Sequence, residues 1–112
     1  VLSTSKYRRL VRQAIDLGFE IQLVYVVLKT PEMSIARVRQ RVRKGGHDVP
    51  EDKIVERYWR SLKQMPWFFK TAERAWIFDN SGSLPRQIAV KEPGNVFVAD
   101  DALPVIKQAL RA

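Results

Sequence analysis

The sequence predicts an α/β fold with a doubly wound, mainly parallel sheet. A dense apolar run at 19–28 (FEIQLVYVVL) is typical of a strand that is covered on both faces. Segments with helical periodicity stand on either side of this run, as the crossover connections of a parallel sheet require. Shorter strand candidates follow, so helices and strands alternate along the chain. At 112 residues the chain is expected to form a single α/β domain, 1–112.

Three helices are predicted before Pro66. The first, at 5–17, has apolar residues at helical spacing and stops at Gly18. The second is a basic helix with a narrow apolar stripe, and it ends at Gly45 and Gly46. The third spans 51–64, and the acidic residues of its first turn complement the helix dipole.

Shorter elements follow the third helix. Pro66 is expected to kink or restart that helix, with a short helical stretch beginning at Trp67. The remaining predicted elements are strands at 75–78, 87–90 and 96–99, a turn at 79–82 and a final helix at 103–110.

The arrangement of these elements can also be predicted. We expect 19–28 to be the central strand, parallel to 75–78, with the helices at 5–17 and 51–64 packed on the sheet. Only one predicted strand is long, whereas an independent doubly wound domain has several. The chain also opens at Val1 directly before a helix-start signal. We therefore expect it to be a fragment of a larger layered architecture.

Composition narrows the classes of partner. The net charge of +8 and the pI near 10.2 favour anionic partners, such as a nucleotide, another phosphorylated small molecule or nucleic acid. The chain has no cysteine and a single histidine, His47, so we assign no metal site. No apolar run approaches the roughly 20 residues that span a bilayer, and no secretory leader opens the chain. We therefore expect a cytoplasmic protein with no membrane partner.

The most informative stretch is 36–62, ARVRQRVRKGGHDVPEDKIVERYWRSL. Its paired RV units, its GGH, its Val-Pro and its RY and RSL resemble the lid region of zeta-toxin-like P-loop kinases. The segments LSTSKYRRLVRQA and FDNSG resemble the same family. The resemblance implies a partial P-loop-kinase-like fold, with this chain as the C-terminal half of the kinase domain and lid helices at about 32–64.

The phosphate-binding loop of such kinases is absent from this chain. No G-x-x-x-x-G-K-[ST] occurs in the sequence, so the loop that holds the β- and γ-phosphates is missing. The resemblance therefore implies the lid-bearing part of an ATP-dependent small-molecule kinase that is inactive alone. ATP and Mg²⁺ are the implied cofactors of the full-length family, and neither is expected to bind tightly to this chain. A nucleotide sugar as substrate and an antitoxin as partner are implied by analogy, and no general base is assigned.

The third helix carries the candidate catalytic residues. Lys53, Arg57 and Arg60 form one stripe beside its apolar face. Arginine suits a transferring phosphoryl group because it stays charged and forms bidentate bonds. Arg57 and Arg60 are accordingly the lid arginines that the resemblance implies. The alternative is a solvated helix face in which these cations pair with neighbouring carboxylates.

Candidate contacts to phosphate or nucleotide lie around the glycine turn. The second helix has two basic stripes, which cannot both face one ligand; they are Arg37, Arg41 and Lys44 on one side and Arg39 and Arg43 on the other. Arg41 and Arg43 stand closest to the glycines and are the better candidates. His47 precedes a helix N-terminus, where anions are favoured, and Asn80 follows a strand at the ligand-bearing edge of the sheet. Structural roles are the alternative for each of them.

Two non-enzymatic functions remain open. The two basic helices around the glycine turn loosely imitate a helix-turn-helix, although the turn is longer than in that motif, so nucleic acid is an alternative partner. An exposed sheet edge is the other possibility, since it would allow the chain to form a homo-oligomer or to pair with another protein.

Overall fold

The computed structural model describes residues 6–111 and is a mixed α/β structure. Its elements are α1 (Lys6–Asp16), β1 (Gln22–Val27), α2 (Pro31–Arg43), α3 (Glu51–Thr71), β2 (Arg74–Asp79), β3 (Arg86–Glu92), β4 (Asn95–Val98) and α4 (Pro104–Ala109). All the predicted helices and strands that fall on described residues are present. Val1 and the predicted helix start at residue 5 lie outside the described residues.

The four strands form one open sheet in the order β1-β2-β3-β4. β1 and β2 are parallel, as predicted, with Leu23 opposite Ala75 and Tyr25 opposite Ile77. The pairs β2-β3 and β3-β4 are antiparallel. The prediction of a doubly wound, mainly parallel sheet was therefore wrong.

Connection length explains this topology. A parallel pair needs a long crossover, and α2 and α3 lie between β1 and β2. Only residues 80–85 separate β2 from β3, and only Pro93 and Gly94 separate β3 from β4. Connections this short can join only antiparallel neighbours. Gly94 has a φ of +82°, the left-handed conformation that such a tight turn requires.

β1 is an edge strand, not the central strand that its apolar sequence predicted. It begins at Gln22, so Phe19 lies outside the sheet. Along it, exposure alternates: Tyr25 and Val27 are buried, whereas Val24 and Val26 are 62% and 55% exposed. The run 19–28 is therefore covered on one face only, and within 6–111 no strand pairs with the outer edge of β1.

α3 is the central helix of the core. It continues through Pro66 as one helix of 21 residues, so the prediction of a new helix starting after Pro66 was wrong. Pro66 cannot donate a backbone hydrogen bond, but the residues on either side of it hold the helix to the sheet: Met65, Phe68 and Phe69 are all buried. Tertiary packing of this apolar face outweighs the local cost of proline.

The first helix does not pack on the sheet as predicted. α1 has no buried residue, and it lies against the outer side of α3. Arg8 donates a hydrogen bond to Gln64 (3.0 Å), and the guanidinium groups of Arg8 and Arg12 lie 5.1 and 5.4 Å from the ring centre of Trp67. Two cation–π contacts and one hydrogen bond thus attach this helix.

Candidate anion-binding cleft

A cleft of about 590 Å³ lies at the carboxyl ends of the two parallel strands. β1 contributes Tyr25 and Val27, and Asn80, directly after β2, also lines the cleft. In open α/β sheets this edge is where ligands bind. A second lobe of about 480 Å³ adjoins the first, since the two share Val26, Ser34, Arg41, Tyr58 and Ser61.

Two cations of α2 and its C-cap Lys44 line the main lobe. Arg37, Arg41 and Lys44 are spaced by four and three residues, so they share one face of the helix. Arg57 of α3 lines the second lobe together with Arg41. Within 6–111, no acidic side chain lines either lobe. The cleft is therefore electropositive, and an anion bound there would meet no carboxylate of its own walls.

Both ends of α2 are fixed by local hydrogen bonds. Thr30 caps its start by accepting from the Met33 amide (3.3 Å). At its end, the Gly46 amide donates to the Arg41 carbonyl (2.8 Å), and the Gly45 amide donates to the Val42 carbonyl (3.0 Å). This is the two-bond pattern of a Schellman stop, and Gly45 has the positive φ (+97°) that it requires. The helix stop predicted for these glycines is confirmed.

Gly46 has a second role, which concerns space. A Cβ atom at this position would lie 2.9 Å from the Arg41 carbonyl oxygen, which is closer than real contacts of this kind allow. The glycine pair therefore fixes the backbone of Arg41, the cation that lines both lobes.

The loop after β2 is tied to the rest of the cleft. Arg37 donates to the Asn80 carbonyl (2.8 Å), and the Asn80 amide donates to the Val27 carbonyl (2.9 Å). The Ser81 hydroxyl accepts from the Lys29 amide (2.8 Å). Hydrogen bonds thus join the ends of β1 and β2 to each other and to the basic face of α2.

Hydroxyl groups, as well as the cations, line the cleft. The Tyr25 and Ser61 hydroxyls are 2.8 Å apart, and Tyr58 donates to the Leu28 carbonyl (2.7 Å). Burial raises the pKa of Tyr25, and it also raises the pKa of Tyr58. Both phenols therefore stay neutral at physiological pH.

The structure brings some of the predicted site residues together. Arg41, Arg57 and Asn80 line the cleft. Arg43 and His47 are exposed and line neither lobe. Arg60 also lines neither lobe and forms an ion pair with Glu56 of its own helix, which is the solvated-face alternative.

Apart from Asn80, the sequence did not single out the neutral polar residues of the cleft. Tyr25 was hidden in an apolar run, and Ser61 is a common residue type in an ordinary helix. Only Ser34 could have been found from the sequence: it lies one turn before Arg37, so helical spacing places it on the same face as the basic residues that line the cleft. Among the described residues there is no group of three or more His, Cys, Asp and Glu residues able to hold a metal ion.

Comparisons with known proteins leave the family open. No family model matches the chain, and no solved structure matches it. An uncharacterized protein of Haemophilus influenzae is 33% identical over 57 residues, which is 51% of this chain and 41% of that protein. The match thus spans less than half of the relative's length. Across 6–111, no helix has the length and apolar character to cross a bilayer.

Proposed function

We propose that the cleft binds the phosphate groups of a nucleotide or another phosphorylated small molecule. The observation that carries this proposal is the position of Arg41, which lines both lobes at the carboxyl ends of β1 and β2, beside Arg37 and Lys44. Fixed, charged donors with no competing carboxylate are the usual means of binding a phosphate. The apolar walls supplied by Val26 and Leu28 would accept the uncharged part of such a ligand.

We further propose that the chain is the lid-bearing, C-terminal part of a zeta-toxin-like, ATP-dependent kinase. The resemblance at 36–62 supports this, and so does the placement of Arg41, Arg57 and Asn80 around one cleft. A cytoplasmic location, Mg²⁺ as cofactor and an antitoxin partner belong to the same proposal. Without a phosphate loop, the chain alone should bind ATP weakly and should not hydrolyse it.

The test compares two arginines on the same helix. Arg41→Ala and Arg43→Ala remove the same charge from the last turn of α2, but only Arg41 lines the cleft. Charge-assisted hydrogen bonds contribute about 1.5–3 kcal/mol, so Arg41→Ala should weaken ATP binding roughly tenfold or more. Arg43→Ala should change it about twofold, through long-range attraction alone. NMR titration with ATP in low salt measures both.

Equal losses in the two variants would mean that only net charge attracts the ligand, and the cleft would be rejected. Mg²⁺-dependent ATP turnover by this chain, abolished by one substitution, would reject the fragment proposal. In a full-length relative that has the phosphate loop, alanine at the position matching Arg57 should lower kcat more than ATP affinity.

The free edge of β1 supports a second proposal, self-association of two copies. β1 has six residues with no proline, lysine or bulge, which are the usual devices that protect an edge. Its exposed Val24 and Val26 are uncharged, so antiparallel pairing across a two-fold axis meets no repulsion. Sedimentation should show a concentration-dependent dimer that the double variant V24K/V26K lacks. A parent protein that stays monomeric at high concentration would reject this.

A further inference from the structure

The Tyr25–Ser61 hydroxyl pair lies where the two lobes of the cleft meet. Tyr25 projects from β1 and is only 7% exposed, whereas Ser61 projects from α3. Their oxygens are 2.8 Å apart. Both residues line the main lobe, and Ser61 lines the second lobe as well, as Arg41 does.

Counting protons shows that this pair has a hydrogen-bond donor to spare. Two hydroxyl groups carry two protons, and the bond between them uses one. Within 6–111 the second proton has no protein acceptor. Tyr58, the other phenol of the cleft, differs because its proton is donated to the Leu28 carbonyl. The pair therefore offers the cleft one donor, whichever of the two oxygens accepts from the other.

The pair is suited to an anion because it stays neutral. Burial raises the pKa of Tyr25, so no phenolate forms near neutral pH to repel a negative ligand. A neutral donor in a cleft that cations also line adds direction to their attraction, since a hydroxyl must point at one oxygen atom.

We propose that Ser61 donates this hydrogen bond to an oxygen of a phosphoryl group bound beside Arg41, and that Tyr25 positions Ser61 by donating to its Oγ. Ser61 is the contact residue because it lines both lobes, whereas Tyr25 is nearly buried. Tyr25 is thus a positioning residue that acts only through Ser61. This inference rests on the proposed phosphate-binding cleft and assigns it a neutral contact for a tetrahedral oxyanion.

The experiment titrates the full chain with inorganic pyrophosphate and measures binding from the ³¹P NMR signal at two salt concentrations. Ser61→Ala should weaken binding about five- to tenfold, and Ser61→Thr, which keeps the hydroxyl, should stay within about twofold of the parent. Tyr25→Phe should weaken binding about two- to threefold. In the Ser61→Ala background, Tyr25→Phe should have no further effect, because a positioning residue has nothing left to position.

Salt separates the hydroxyl contribution from the charge contribution. The hydroxyl variants should lower the affinity for pyrophosphate without changing its dependence on salt. Arg41→Ala should lower the affinity and also reduce its dependence on salt. Ser83→Ala, in the exposed loop after β2, and Tyr7→Phe, on α1, are the matched controls and should bind like the parent. Circular dichroism establishes that each variant is folded.

Three results would overturn the proposal. If Ser61→Ala binds within about twofold of the parent while Arg41→Ala binds weakly, the cleft exists and the hydroxyl pair has no part in it. If Tyr25→Phe still weakens binding in the Ser61→Ala background, Tyr25 does not act through Ser61. If the parent does not bind pyrophosphate, the phosphate-binding cleft and this inference fall together.

Discussion

Lys91 is expected to stabilise the junction between α3 and the β3–β4 hairpin. Its ammonium donates three hydrogen bonds, to the carbonyls of Phe69 (3.0 Å), Lys70 (2.7 Å) and Ala72 (2.6 Å). The last carbonyls of a helix have no partner inside the helix, and a cation there also complements the helix dipole. All three protons of the ammonium are therefore used in closing the end of α3.

The magnitude follows from the number and the environment of these bonds. A hydrogen bond from a charged donor contributes about 1.5–3 kcal/mol, but the bond to the Lys70 carbonyl is exposed to water and contributes less. Burial lowers the pKa of Lys91, so the cost of desolvating its ammonium offsets part of the gain. We take about 2 kcal/mol for the whole arrangement, which for a domain of this size corresponds to a fall in Tm of about 8 °C.

Thermal unfolding of Lys91→Met tests this value, because methionine keeps most of the apolar stem and removes the charge. Lys63→Met is the matched control, since Lys63 is exposed on the same α3; it should change stability by less than about 0.5 kcal/mol. Equal Tm values for Lys91→Met and Lys63→Met would refute the role assigned to the three carbonyl contacts.

Three shorter predictions concern the cleft and its surroundings. Gly46→Ala should cost roughly 1–3 kcal/mol in urea unfolding and should weaken pyrophosphate binding, because its Cβ would displace the Arg41 backbone. Burial raises the pKa of Tyr25, so its stabilising contribution is complete below the unfolded pKa near 10 and is lost as pH rises through the folded pKa. Tyr25→Phe should therefore flatten the alkaline fall in stability, and an unchanged fall would contradict this. Trp67→Leu should speed hydrogen exchange throughout α1 while leaving the strand amides protected, because α1 is attached through that ring.

The parallel pair could be predicted from the sequence, whereas the rest of the sheet was predicted wrongly. Two helical patterns between 28 and 74 indicate a crossover, and a crossover requires parallel strands. The connections at 80–85 and 93–94 are too short for a crossover, so their length already indicated antiparallel neighbours. The prediction of a mainly parallel sheet rested on the apolar run at 19–28 and did not use these connection lengths. That run bears only on β1 and carries no information about the later strands.

The exposure of β1 could not be predicted in the same way. Whether Val24 and Val26 are covered depends on what else packs against that face of the sheet, and β-branched residues suit both environments. Only the alternation seen in the structure shows that Tyr25 and Val27 face the core. A continuous apolar run is compatible with burial on two faces or on one.

The choice between the two basic stripes of α2 shows how the fold determines the site. Val38, on the apolar line between the stripes, is buried, as the helical pattern predicts, but that pattern leaves open which flank faces the strand ends. Arg37 and Arg41 lie on the flank that meets the carboxyl ends of β1 and β2, and Arg43 lies on the other. The crossover from β1 sets this orientation, because it fixes the side of the sheet on which α2 and α3 lie. The cationic face of the cleft is thus a consequence of the parallel β1–β2 pair. Because the two strands are parallel, their carboxyl ends lie at one edge of the sheet, and only one flank of α2 lies at that edge.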